Sequence, residues 1–355
     1  MKSFKPLIII FIFLLTGCVE KQILDDINIL TGIGYDLTEE NEVMGTVLIP
    51  IYEADQTINN ETITDISEPN KDLVSTVQKK ATDPIVLGSI ENVIFHRDLA
   101  EQGIIQFIDG LQRDAYVGTS LYIMVSEDPT VDILSGNYGN RSTASYITNL
   151  LEHNMKRRDL PRTNLHVFLN DYYQEGKDPN LPIIGLSDGK LGITGVGILK
   201  KDKLASTIEL RDLFFFKLLA DHYTEGIFVL DLPDGESVSI MSIRSKKKIN
   251  IDWNGDVPQI NIKLKLNGAL RDYTGAKVDD KLIATIQETF EGVLRTECLN
   301  LIKRFQEEEI DPFGYGFEVK TRKRGFDIKK WEDQYPDIPV TVNADVTIIE
   351  RGVID

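Results

Sequence analysis

Two thiols, four imidazoles and 56 carboxylates are the groups in this 355-residue chain able to attack, ligate or carry protons. Their spacing assembles no familiar site. His96, His153, His166 and His222 lie far apart, and none has the i, i+4 helical partner that a metal-binding pair needs. His96, beside Arg97-Asp98, suits a structural hydrogen bond at a strand-to-helix junction. No strand-to-helix nucleophile elbow of the α/β-hydrolase kind is expected. Gly32-Ile33-Gly34 begins like a dinucleotide fingerprint, but Leu37 stands where the third glycine belongs. Gly192, Gly195 and Gly197 lack the Lys-Ser/Thr pair of a P-loop, so both clusters read as strand packing. Cys298 falls on an apolar helical stripe, where a thiol behaves as a small hydrophobe. No catalytic, metal or cofactor-binding residue is expected.

The other thiol, Cys18, has a more specific setting. Lys2 and Lys5 precede an unbroken apolar run, Leu7 to Leu15, and Leu15-Thr16-Gly17-Cys18 follows. A nine-residue helix is about 14 Å long, too short for the ~30 Å hydrocarbon core, so the run reads as an export signal. The Leu-Thr-Gly-Cys ending is similar to the lipobox of bacterial lipoprotein precursors, in which the cysteine takes diacylglycerol and becomes the first mature residue. Cys18 is therefore the expected lipidation site. Two acyl chains, at ~0.8 kcal/mol per buried CH₂, hold a protein on a bilayer stably where one exchanges.

The chain carries 56 acidic against 39 basic side chains, a formal charge of −17. Loss of residues 1–17 removes Lys2 and Lys5 and no acid, leaving 338 residues at −19. That balance argues against a nucleic-acid partner, whose phosphates need Lys and Arg. It also means that lipid, and not overall charge, would hold the body at an anionic surface. Lys246-Lys247-Lys248 and Arg322-Lys323-Arg324 are basic islands that suit either charged turns or the docking of an acidic partner or headgroups.

Periodicity supplies the elements that would position these groups. GIGYDL (32–37) and VMGTVLIPIY (43–52) read as strands joined by a turn at 38–41, and 53–70 as a polar loop. Residues 91–126 read as a β-α-β unit, with Asp98 as a helix cap and Leu99, Ile104, Ile105, Ile108 and Leu111 on one face. Helices are expected near Leu73, over 146–155 and over 208–219, with a strand at 164–170. After Ile227 come short strands at 227–230, 237–243, 248–253 and 259–266. A long amphipathic helix follows at 279–308, then strands at 317–321 and 340–350. Glu307-Glu308-Glu309 at its end oppose the helix dipole, which implies a solvated end or a paired cation. The fold class is α/β (α+β), multi-domain, with mixed sheets. Beyond the signal at 1–17 the expected parts are an N-terminal α/β domain (18–200), a middle or connecting region (201–245), and a C-terminal α+β domain (246–355) of antiparallel strands packed on one long helix.

In order along the chain, Gly17-Cys18, GIGYDL, VIFHRDLAEQGIIQFIDGLQRD (93–114, with Arg113-Asp114), ITGVGILKKDKL (193–204), DPFGYGFEV (311–319), Trp331 and Tyr335-Pro336 resemble the Ger(x)C family, the lipoprotein C subunits of spore germinant receptors. Many members carry Trp soon after the lipidated cysteine, where this chain has Val19-Glu20. The resemblance implies a non-enzymatic, membrane-anchored lipoprotein on the outer face of the spore inner membrane. It would work there beside integral-membrane receptor subunits as a scaffold or coupling component. The alternative is a solute-binding lipoprotein that passes a small nutrient to a transporter.

Overall fold

The computed structural model describes residues 27–53, 57–67, 73–118, 120–255, 257–275 and 278–351. The chain begins with β1 (Asn28–Ile29), β2 (Gly32–Leu37), β3 (Val43–Tyr52), β4 (Ile58–Ser67), α1 (Leu73–Val77), β5 (Ile85–Val86) and β6 (Asn92–His96). Next come α2 (Arg97–Gln102), α3 (Ile105–Arg113), β7 (Tyr122–Ser126), α4 (Thr130–Ser135), α5 (Thr143–Arg157) and α6 (Leu165–Tyr173). Then follow β8 (Asn180–Ser187), β9 (Lys190–Lys200), β10 (Lys203–Glu209), α7 (Leu213–Ala220), β11 (Phe228–Asp231), β12 (Ser237–Asn254) and β13 (Val257–Tyr273). Last are α8 (Asp280–Glu307), α9 (Tyr315–Arg322), α10 (Ile328–Gln334) and β14 (Val340–Arg351).

Two sheets organise the molecule, an eight-stranded one in the order β10-β9-β8-β7-β6-β2-β3-β4 and a four-stranded one in the order β11-β12-β13-β14. The centre of the larger sheet, β8-β7-β6-β2, is parallel, and its flanks are antiparallel. Both faces are covered, which is why its strands read as continuous apolar runs. Ile94 and Met124 point into one core with α4, α5 and α7, while Val93, Phe95, Ile123 and Val125 point into another with α1, α2, α3 and α6. The β-α-β unit is present, its β6 and β7 parallel. Gly103, at φ 125°, divides its helix in two, and the cap is the His96 ring, which accepts from the Asp98 amide at 3.4 Å.

The first core continues from the larger sheet into the smaller one through α7. Phe214 meets Phe228 at 4.5 Å between centroids, Phe228 meets Phe290 of α8 at 4.9 Å, and Phe216 meets Phe313 at 5.5 Å. The long helix forms as its stripe requires, with Asp279 accepting from the Leu282 amide at 2.9 Å. It packs on the C-terminal sheet, whose last pair, β13 and β14, is parallel because α8 to α10 intervene as a crossover. Within 201–245, β10 lies in the larger sheet, and β11 and the start of β12 lie in the smaller.

Several local expectations are corrected. Residues 164–170 form a helix because Asn164 caps the Val167 amide at 2.9 Å and Leu165 and Phe168 bury together at helical spacing. Residues 317–321 belong to α9, where Tyr315 and Val319, four apart, share the buried face. Most of the supposed polar loop is β4, which pairs along ten residues with the otherwise open edge of β3, its Asn60 side chain donating to the Gly136 carbonyl at 3.1 Å and accepting from the Thr143 amide at 3.2 Å. The strands expected at 237–243 and 248–253 are one strand bent at a bulge, where Ser242 adopts φ 54°. Ile208 lies in β10, which ends at Glu209, and α7 begins only at Leu213.

Candidate functional site

Cys18 and its leader lie outside the described residues. Cys298 is fully buried on α8, and burial pushes its thiol well above the ordinary range, leaving it protonated and shielded. The histidines remain apart. His153 and His166 are exposed on α5 and α6, and His222 lies 3.0 Å from Asp221. Among the described residues, no group of three metal-ligating side chains converges. The glycine motifs are packing devices. A methyl on Gly34 would lie 2.2 Å from the Thr130 hydroxyl, and one on Gly195 would lie 2.4 Å from the Ile208 carbonyl. Beside Gly34, the buried Asp36 carboxylate accepts from the Thr130 amide and hydroxyl at 2.7 and 2.5 Å. It thereby caps α4, whose own N-cap is Pro129.

The polar centre of the molecule lies where the two sheets' segments are sewn together. Asp311 opens DPFGYG; its carboxylate accepts from the Tyr315 and Gly316 amides at 3.0 and 2.7 Å, which fixes the start of α9. Its own amide donates to Asp178 Oδ2 at 2.8 Å, and its carbonyl accepts from the Asp178 amide at 2.9 Å. Asp178 also accepts from the Lys201 amide at 3.3 Å and lies 3.6 Å from Lys200 Nζ. Next door, the Phe317 amide donates to the Gly176 carbonyl at 3.0 Å. Gly176 and Gly316 touch so closely that a methyl on Gly316 would lie 2.7 Å from the Gly176 Cα and 2.6 Å from the Trp331 ring nitrogen. Burial is the main force on Asp311. With Asp178 alongside, and against the pull of the Gly316, Tyr315 and Gly314 amides, it raises the carboxyl to about 7.

A buried cation stitches α7 to α5. Lys217 Nζ donates to the Met155 and Arg158 carbonyls at 2.8 and 2.5 Å, satisfying the C-terminal end of α5, and lies 4.8 Å above the Tyr223 ring. Burial lowers its ammonium to about 8. Tyr223 in turn donates to Asp159 at 2.6 Å. Between these two anchorages opens a cleft of about 440 Å³, lined by residues of α5 and α6 together with Ala220, Asp221 and Pro312. Its charges are matched inside the chain: Arg162 with Asp221 at 2.9 Å, Lys177 with Asp171 at 2.8 Å and Lys156 with Glu152 at 2.7 Å. A ligand entering here would have to displace an ion pair to gain one.

The acidic helix end has its cations, since Arg304 pairs with Glu308 at 2.9 Å and Lys200 Nζ reaches the Glu309 carbonyl. Arg113 pairs with Asp109 at 3.0 Å, and Asp114 holds the Tyr116 amide at 2.8 Å. Lys246 to Lys248 lie within β12, not in a turn, and Lys247 is turned inward to the Leu219 carbonyl. Sequence reasoning missed the Asp178–Asp311 clasp and Lys217. The Gly-Tyr-Gly after Asp311 was its one visible trace. No described helix is long and apolar enough to cross a membrane.

Residues 20–186 match the family model described as the spore germination protein N-terminal domain, and residues 194–352 match the spore germination B3/GerAC-like C-terminal domain. The chain is 27% identical over 360 residues to spore germination protein GerQC of Bacillus cereus, covering 100% of both chains. It is 23% identical over 277 residues to spore germination protein A3 of Bacillus subtilis (strain 168), covering 73% of this chain and 71% of the other. The crystal structure of the GerBC protein superposes with a TM-score of 0.62 at 15% identity, over 90% of this chain and 97% of that one, which shows a shared fold.

Proposed function

Because the chain belongs to the Ger(x)C family of spore germination proteins, a family of non-enzymes that gives it a spore-associated role in germination, we propose that it is the lipid-anchored C subunit of a nutrient germinant receptor. It serves there as a scaffold or coupling component beside integral-membrane subunits, on the outer face of the spore inner membrane. The observation that carries this reading is the pairing of a Leu-Thr-Gly-Cys lipobox at Cys18 with family matches that begin two residues later and run to 352. The acyl chains confine the body to two dimensions and raise its concentration around membrane-embedded partners. The clasped sheets then present it to them as one rigid piece.

Cys18→Ala tests the reading directly. The variant is expected to leave the membrane fraction of spores and to slow nutrient-triggered germination, while germination triggered without nutrient receptors is unchanged. Full membrane retention with a normal nutrient response would refute the anchor. Calorimetry with amino acids and sugars tests the solute-binding alternative. The internally matched charges of the 440 Å³ cleft support an expectation of no micromolar heat from binding.

A further inference from the structure

The C-terminal sheet buries one face against α8 and leaves the other open. On the open face of β12 stand Arg244, Lys246 and Lys248, and on that of β13 stand Lys263 and Lys265, all exposed, while Leu264, Leu266, Ile260 and Ile262 fill the buried side. The register sets Lys246 directly opposite Lys265 and Lys248 directly opposite Lys263. Like charges facing each other across an antiparallel ladder destabilise it. Among the described residues only Lys265 has a carboxylate partner, Asp345 of β14 at 3.4 Å. The rest of the face on β14 is Thr341, Asn343 and Thr347, all exposed and neutral. A chain of charge −17 thus gathers five cations on one flat surface, whose carboxylates are Asp345 and, toward the end of β12, Asp252, held by Asn261 at 2.8 Å.

The make-up of the face narrows what it meets. Protein interfaces are anchored by aromatic and arginine side chains packed into pockets, and lysine is depleted at their centres. Among the described residues this face carries no aromatic anchor, and its cations, four lysine ammoniums on flexible stems and the Arg244 guanidinium, are spread along β12 and β13. Such an array suits a diffuse two-dimensional layer of anions, where each cation near the surface adds attraction and none needs a shaped socket. We propose that the open face of β12–β13 docks on the anionic headgroups of a bilayer, turning the body so that its acidic remainder faces away. The argument rests on the sheet face alone and not on lipidation of Cys18.

The test uses the full chain carrying Cys18→Ala, floated with vesicles of phosphatidylcholine alone or with about one third phosphatidylglycerol. Any apolar contribution from the leader is common to both vesicles, so the ratio of retention reads charge. The expectation is at least about tenfold greater retention on the anionic vesicles at low salt, lost as salt rises past the point where the Debye length falls below ~8 Å. In Lys246→Thr/Lys248→Thr/Lys263→Thr the preference should vanish while the melting temperature stays level or rises, because the cross-strand repulsion has gone. An unmodified chain that prefers neutral vesicles, as its net charge alone dictates, would overturn the proposal. So would a triple variant that keeps the preference. Binding of soluble polyglutamate by this face without retention on anionic vesicles would overturn the lipid in favour of an acidic protein. The salt dependence of the unmodified chain decides the matter even if the triple variant misfolds.

Discussion

Asp311 sits where the fold can least accommodate a charge, and its carboxyl, raised to about 7 by burial, makes stability depend on pH. The folded chain holds this proton up to about pH 7, whereas the unfolded chain releases it near the ordinary 3.8. Between those values the folded state binds more protons. The contribution of this group to stability therefore falls as pH rises from about 4 to about 7, by at most ~1.4 kcal/mol per pH unit, and then levels off. Urea unfolding at pH 5 and pH 8 should show that loss in the unmodified chain and a markedly smaller one in Asp311→Asn. Equal losses would mean that Asp311 is ionised throughout. Nothing near position 311 foretold this, because the partner Asp178 is 133 residues away. An Asp-Pro pair reads locally as a turn, and only the tertiary clasp makes it a buried acid. Cys298, by contrast, was legible, since an apolar stripe of 3.6-residue period states which side of a helix is dry.

At the scale of elements, the parallel centre and the long helix could be read because both obey a single period over many residues. The misreadings fell on short segments, where alternation and helical spacing overlap. Residues 164–170 fit either pattern until the Asn164 cap decides for a helix. β4 was hidden for another reason: INNETITDIS is mostly polar with no alternation of apolar residues, so it resembles a loop until β3 supplies its partner. Gly34 shows how tightly one element sets the next. Gly34→Ala would drive a methyl into Thr130 and loosen the Asp36 cap of α4. A loss of about 1–3 kcal/mol is expected, the usual cost of overpacking, measurable as a lower urea midpoint with unchanged slope. A neutral result would mean that α4 slides freely against β2.

For the whole molecule the decisive fact is that two sheets share one core through the α7 phenylalanines and one polar clasp through Gly176, Asp178, Asp311 and Gly316. They should therefore unfold together. Hydrogen exchange should give amides of β6 and β13 the same global opening energy in the unmodified chain. In Gly316→Ala, whose methyl meets backbone at Gly176, the smaller sheet should open first. Identical protection in that variant would show that the phenylalanines alone bind the halves.

The parallel pairing of β13 with β14 sets a condition on biosynthesis. The partner of residues 260–270 is made some eighty residues later, with α8 in between, and Gln287 and Glu291 of that helix take the Ile348 and Val346 amides on the far side of the strand. A ribosome that stalls before Val340 releases a product with a bare strand edge and two unmet helix acceptors. Such an edge is a template for pairing with other chains, so a truncated copy is expected to aggregate where the finished one does not.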